Sequence, residues 1–207
     1  MRWPAALALA ALGTACGGSA PPGPPPPAPA PAPAAPASHI AIAGREQYYD
    51  IDGSSAGALR DQIRRLGPKD ESGNARDALT VWNLEWTYHE VGDTTGCALR
   101  DVQVRLDVTV TLPRWKPPAT APARLSDSWR TYLEHVKLHE AGHRTIAQRF
   151  ARQLFTALSE LSAATCAELD RVASRRAEEI VAEGRARNRA YDVETKHGQT
   201  QGVVLEP

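Results

Sequence analysis

Two stretches, residues 102–112 (VQVRLDVTVTL) and residues 126–161 (SDSWRTYLEHVKLHEAGHRTIAQRFARQLFTALSEL), decide how this chain folds. In the first, Val102, Val104, Leu106, Val108, Val110 and Leu112 occupy every second position, the period of a strand with one buried face. In the second, Trp129, Leu133, Val136, His143, Ala147, Phe150, Leu154 and Leu161 recur every three or four residues, the period of an amphipathic helix. Ser126 or Asp127 can cap that helix, and its interior holds no proline and one glycine, Gly142. Between the two, Pro113 ends the strand, and Trp115 to Pro118 begin an irregular link.

The flanking sequence extends the pattern. Residues 47–52 (QYYDID) read as a strand. Ser54 or Ser55 can then cap a short helix through Leu59, Ile63 and Leu66, which Gly67 and Pro68 stop. Residues 79–89 (LTVWNLEWTYH) form another strand, and a second long helix is expected from Cys166 to about Arg187. The tail from Asn188 is polar and shows no apolar period. Strands first and long helices afterwards predict an α+β domain, a small antiparallel sheet packed on the two helices.

Composition separates this domain from what precedes it. Of the 17 prolines, 10 lie between Pro21 and Pro36, in a Pro/Ala run that cannot form a core and favours an extended rod. Residues 39–207 remain as the folding domain, enough to bury roughly 70% of the unfolded surface without a staple. Lys plus Arg and Asp plus Glu are both 24, so the chain has none of the basic excess of a nucleic-acid or membrane-surface binder.

Residues 1–15 combine Arg2, an apolar run from Ala5 to Leu12 and small residues, the layout of an export signal. Gly13-Thr14-Ala15 directly before Cys16 resembles a bacterial lipobox, which makes Cys16 the expected lipidation site and residues 16–38 a tether. The expected location is the cell envelope, lipid-anchored or secreted, with the lipid as the only contact to a membrane. With Cys16 set aside, Cys97 and Cys166 remain, and an oxidising compartment favours their pairing. Cys166 as a metal ligand is the alternative.

His139-Glu140-Ala141-Gly142-His143 is an HExxH motif inside the long helix. Four residues are just over one turn, so both imidazoles project from one face, as Zn²⁺ requires of two ligands. Glu140 is placed to act as general base on a metal-activated water, the chemistry of peptide hydrolysis. A third ligand is needed, and Ile146 and Arg149 stand where the extended HExxHxxGxxH motif has its Gly and His. Candidates are Glu178, Glu179 or Glu183 on the second helix, His135 one turn upstream, and His197 in the tail. His39 and His89 have no motif around them.

YYDIDG, TVWNLEWTY, Cys97, the LP-x-W of Leu112 to Trp115, the W-x-x-Y of Trp129 to Tyr132, HEAGH, Cys166 and the terminal YDVETKHGQTQG together resemble one family. It is the predicted secreted zinc-dependent protease family of bacteria, catalogued as domain of unknown function 922. The likeness runs from about Gln47 to Gly202. It implies a zincin-like fold, Zn²⁺ as cofactor, His139 and His143 as ligands, Glu140 as general base and a Cys97–Cys166 disulfide. It also makes His197 the preferred third ligand. Asp192 or Thr195 is then expected to orient an imidazole, and Tyr191 to donate to the developing oxyanion. The expected protein is an exported metallopeptidase acting on polypeptide. The alternatives are a zinc amidase on cell-wall peptides and a non-catalytic envelope lipoprotein stabilised by zinc and the disulfide.

Overall fold

In a computed structural model, residues 38–206 are described. The signal peptide (1–15), Cys16 and nearly all of the tether expected over 16–38 lie outside those residues. The described elements run β1 (His39–Ile51), α1 (Ala56–Leu66), β2 (Leu79–Asp93), β3 (Gly96–Trp115), α2 (Ala123–Ser159), β4 (Ser162–Ala163) and α3 (Cys166–Thr195), followed by a 3-10 turn at Gln199–Gln201.

The central strand is β3. Its alternating apolar residues, Val102 to Leu112, are all buried, and Leu106 has no exposed surface. The alternate positions on the other face, Gln103, Arg105, Asp107, Thr109 and Thr111, are polar. Cys97 and Leu99 are buried as well, although they sit on odd positions and Val102 on an even one. A bulge reconciles the two phases. Pairing with β2 slips between Thr87 and His89, and Asp101 takes a positive φ of 51°. One extra residue switches which side chains face the core.

The sheet order is β1-β3-β2, with β4 paired to the end of β3. β2 and β3 form an antiparallel hairpin, but β1 lies parallel to β3 from His39↔Gln103 to Ile51↔Trp115. The sheet is therefore mixed, which corrects the antiparallel expectation. Alternation specifies a buried face but carries no strand direction; the direction of β1 follows from where α1 and the hairpin return the chain. β1 also begins eight residues before Gln47, in a run whose side chains are nearly all exposed. Main-chain bonding to β3 holds this edge, and it leaves no apolar signal.

Three helices complete an α+β domain. Ser55 caps α1 by accepting from Ala58 N at 3.2 Å, and Gly67 ends it, as the sequence predicts. α2 starts at Ala123 with Pro122 as cap, three residues ahead of Ser126. It packs on α3, and Ala147, Ala151, Leu154 and Leu158 of α2 and Leu169, Ala173, Ala177 and Ile180 of α3 are all fully buried. Small alanines on both helices let the axes approach. Thr165 caps α3 by accepting from Glu168 N at 3.2 Å. The helix continues past Arg187 to Thr195, which corrects the expected boundary and carries Asn188, Tyr191 and Asp192 onto a regular helical face. Cys97 and Cys166 are joined by a disulfide that ties the first residue of α3 to the sheet. Among the described residues, no helix is long and apolar enough to cross a membrane.

Candidate metal centre

α2 turns three titratable side chains inward on successive positions of one face. His139 and Glu140 are each 5% exposed and His143 4%. Burying such groups costs several kcal/mol unless each finds a partner, on the order of 2–7 kcal/mol for an unpaired polar group. The partners come from the end of α3 and the turn beyond it. His143 Nδ1 lies 2.9 Å from Asn188 Oδ1, and His139 Nδ1 lies 2.9 Å from Gln201 Oε1. An amide oxygen only accepts, so each Nδ1 carries the proton and each Nε2 keeps its lone pair.

Those lone pairs converge. The two Nε2 atoms are 3.2 Å apart. Asp192 Oδ1 stands 3.2 Å from His143 Nε2 and 3.3 Å from His139 Nε2. Three acceptor atoms gathered this closely call for a cation between them, and His139, His143 and Asp192 can hold a metal ion. A proton on His143 Nε2, donated to Asp192, fills that place where no metal does, and it sets the electrostatics. Burial alone would raise the Asp192 carboxyl, but the imidazoles of His139 and His143 and the charges of His143 and His197 hold it well below the usual carboxylate range. Burial likewise works against a charged His143. The Asp192 hydrogen bond and the charges of Glu140 and Asp192 outweigh it and push the imidazole up.

Asp192, expected to orient an imidazole, stands among the three side chains that could hold a metal ion. His197, the expected third ligand, lies outside that donor group. It is half-exposed, in a left-handed conformation (φ 53°), with Nδ1 3.3 Å from the same Asp192 oxygen. Thr195 turns away from the imidazoles: its hydroxyl donates to Tyr191 O at 2.7 Å and accepts from Gly198 N at 3.2 Å, closing the end of α3.

Glu140 does not point into the donor group. Its Oε2 accepts from Thr80 Oγ1 of β2 at 2.6 Å. Burial pushes its carboxyl up, against the lowering effect of Thr80 and the neighbouring histidines. Tyr191 lies under the site. Its ring stacks on His139 at 5.1 Å and meets His143 edge-on at 4.9 Å. Its hydroxyl accepts from Gln201 Nε2 at 2.9 Å and reaches His139 O at 3.4 Å, so it braces the helix and does not line the cleft. Gly142 makes this possible, because a Cβ there would stand 2.2 Å from the Tyr191 hydroxyl.

The remaining candidates lie elsewhere. His135 Nδ1–H donates to Gly202 O at 2.8 Å and pins the C-terminal turn to α2. Glu179 pairs with Arg176, Glu183 accepts from Gln153, and Glu178 is exposed on α3. His89 is exposed beside Asp101, and His39 opens β1. Asn188, Gln201 and Thr80 are the site residues that the sequence reading missed. The only available signal was the four-residue step from Asn188 to Asp192, which puts both on one face of a helix.

A cleft of about 310 Å³ is lined by His139, Glu140, His143 and Asp192, together with Arg60, Arg76 and Asp77. The model of a family described as bacterial protein of unknown function (DUF922) matches residues 46–198, which span all three donors, Glu140 and both cysteines of the disulfide. No curated protein and no solved structure matches the chain, so the zincin-like expectation for the fold has no structural neighbour behind it.

Proposed function

The chain belongs to the DUF922 family of bacterial proteins, and from that premise we propose that it is an exported zinc-dependent peptidase with Glu140 as its general base. The observation that carries this reading is the triangle of lone pairs on His139, His143 and Asp192, with sides of 3.2–3.3 Å. Tetrahedral ligands at zinc bond lengths of about 2.0–2.1 Å stand about 3.3 Å apart. Two imidazoles and a carboxylate are also a known donor set for catalytic zinc, which keeps its fourth position for water or substrate.

Bound there, zinc supplies an acidified water and an electrophile for a peptide carbonyl. The chain supplies the rest. Thr80 donates to Glu140 Oε2, which leaves Oε1 to take the proton of the attacking water. Burial raises the carboxyl, and once it has taken that proton it can return it to the leaving amine nitrogen. One C–O bond forms, the C–N bond breaks, and water is divided between a carboxylate and an amine. Asn188 and Gln201 hold the imidazoles by Nδ1, and Tyr191 acts as a positioning residue beneath His139. His197, which lines the cleft beside Asp192, is the group available to meet the carbonyl oxygen. The Cys97–Cys166 disulfide supports action in an oxidising compartment, with Cys16 as the lipid anchor and polypeptide or cell-wall peptide as substrate.

The test is elemental analysis of the purified protein together with digestion of a peptide library and of cell-wall peptides. One zinc per chain is expected, and Glu140→Gln should keep it while losing about 10²–10⁴-fold in hydrolysis. A Glu140→Gln protein that cleaves as well as the native one overturns the assignment of the base. Zinc without metal-dependent cleavage of either substrate would instead make this the non-catalytic envelope protein considered above.

A further inference from the structure

Beside the metal centre the cleft continues into a second one of about 540 Å³, and the two share, among others, Asp70, Arg76, Thr80, Asn188, Asp192 and His197. Val81, Trp82 and Val193 give this extension an apolar lining, and Val81 and Val193 are 57% and 75% exposed. Such residues lie open at the mouth of a site where a bound chain would cover them. Trp82 is firmly seated, since a Cβ on Gly184 of α3 would stand only 3.2 Å from the tip of its ring.

Charge on the walls of this extension is unbalanced. Arg185 and Arg189 line it from α3 and Lys69 from the loop before β2. Among the described residues none of the three has an ion-pair partner, whereas Arg187 on the same helix pairs with Glu194 and Arg176 with Glu179. Of the acids lining it, Asp70 is taken by Arg76 and Asp192 by the histidines, which leaves Glu71. The whole chain has as many acidic as basic residues, so this excess is local. Two arginines one turn apart repel each other on a bare helix, and a groove with apolar walls focuses their field.

We propose that the substrate is an acidic peptide whose carboxylates, on one side of the cleaved bond, are held by Arg185 and Arg189. The inference rests on the peptidase reading above. The guanidinium fork suits a carboxylate, and the apolar lining suits the methylene stems that carry it. Arg189 and Arg185 lie three and seven residues before Asp192, or about 4.5 and 10.5 Å along the helix axis. An extended peptide advances about 3.4 Å per residue, so the selected carboxylates fall within about three residues of the cleaved bond.

The test is digestion of a proteome-derived peptide mixture by the zinc-loaded protein, with cut sites read by mass spectrometry. Asp and Glu should be enriched about fivefold on one side of the cuts, as expected for exposed ion pairs, and Arg185→Glu/Arg189→Glu should invert the preference toward Lys and Arg. Cuts without acidic preference, or with a preference that ignores the double variant, overturn the inference and leave the peptidase reading standing. Absence of all metal-dependent cuts overturns the peptidase reading instead. The charge selection is then decided by fluorescence anisotropy of a labelled Glu/Ala decapeptide against its Gln/Ala counterpart. Tighter binding of the acidic peptide, lost in the double variant, supports the selection, and equal binding overturns it.

Discussion

Gln201 Oε1 lies 2.9 Å from His139 Nδ1, joining the turn after α3 to the middle of α2 across 62 residues of chain. The same amide donates through Nε2 to Tyr191, whose ring stacks on that imidazole. One side chain thus fixes both the tautomer and the tilt of an imidazole that could hold a metal ion. Gln201→Ala should lower metal affinity by about 10–100-fold, the usual cost of losing such an outer partner. Competition with a chromophoric chelator measures it. Unchanged affinity would show that stacking alone orients the ring.

His197 Nδ1 lies 3.3 Å from Asp192 Oδ1, yet of the two only Asp192 belongs to the donor group. Asp192→Asn keeps the shape and removes the charge, and it should abolish stoichiometric metal binding. His197→Ala should keep the metal and lower kcat. Elemental analysis of the two variants side by side separates a three-donor site from one in which His197 also ligates.

At Gly142 two effects oppose each other. Alanine in a helix interior normally gains about 0.8–1.0 kcal/mol over glycine. Here the added Cβ would press on the Tyr191 hydroxyl, and such overpacking costs about 1–3 kcal/mol. Gly142→Ala should therefore lower the melting temperature. Placed in a Tyr191→Ala background, the same change should raise it, a reversal that a double-mutant cycle reads directly.

An alkaline limb in stability is expected from Tyr132. Burial first, then the charge of Asp77 and the hydrogen bond to its Oδ2 at 2.8 Å, raise this phenol above its ordinary value. The folded protein keeps a proton that the unfolded chain loses near pH 10, so stability is complete below that pH and falls as pH rises through it. Urea titrations between pH 8 and 11 should show the decline, and Tyr132→Phe should flatten it. Tyr49, raised chiefly by burial, contributes in the same direction.

Removing the disulfide should weaken the fold while sparing the metal centre. Its loop spans 69 residues, worth about 4 kcal/mol on a chain-entropy basis. The Cys97→Ser/Cys166→Ser variant should lose about that much in urea unfolding. It should still bind one metal per chain.

Apolar periodicity made β3, α1, α2 and the HExxH face readable in the sequence, because burial of one face imposes a period on residue type. Where burial is polar or absent, the same logic fails. The last two turns of α3 present Asn188, Tyr191 and Asp192 to the site, a helical period written in side chains that a hydrophobic count ignores. β1 is an exposed edge held by main-chain bonds, so neither its length nor its direction left a mark. The histidines and Glu140 were legible because their spacing is local to one helix. Asp192, Gln201 and Thr80 reach the site from three other places in the chain, and no spacing rule connects them.

α3 is fastened at both ends by unlike chemistry: sulfur at Cys166, and the imidazoles of α2 around Asp192, about 39 Å further along the axis. It behaves as a beam on two bearings. A reductant would free the first bearing and, on the metal-binding reading, a chelator would loosen the second, while Leu169, Ala173, Ala177 and Ile180 stay buried along the span between them. On the metal-binding reading, redox state and metal supply would therefore act at opposite ends of one helix.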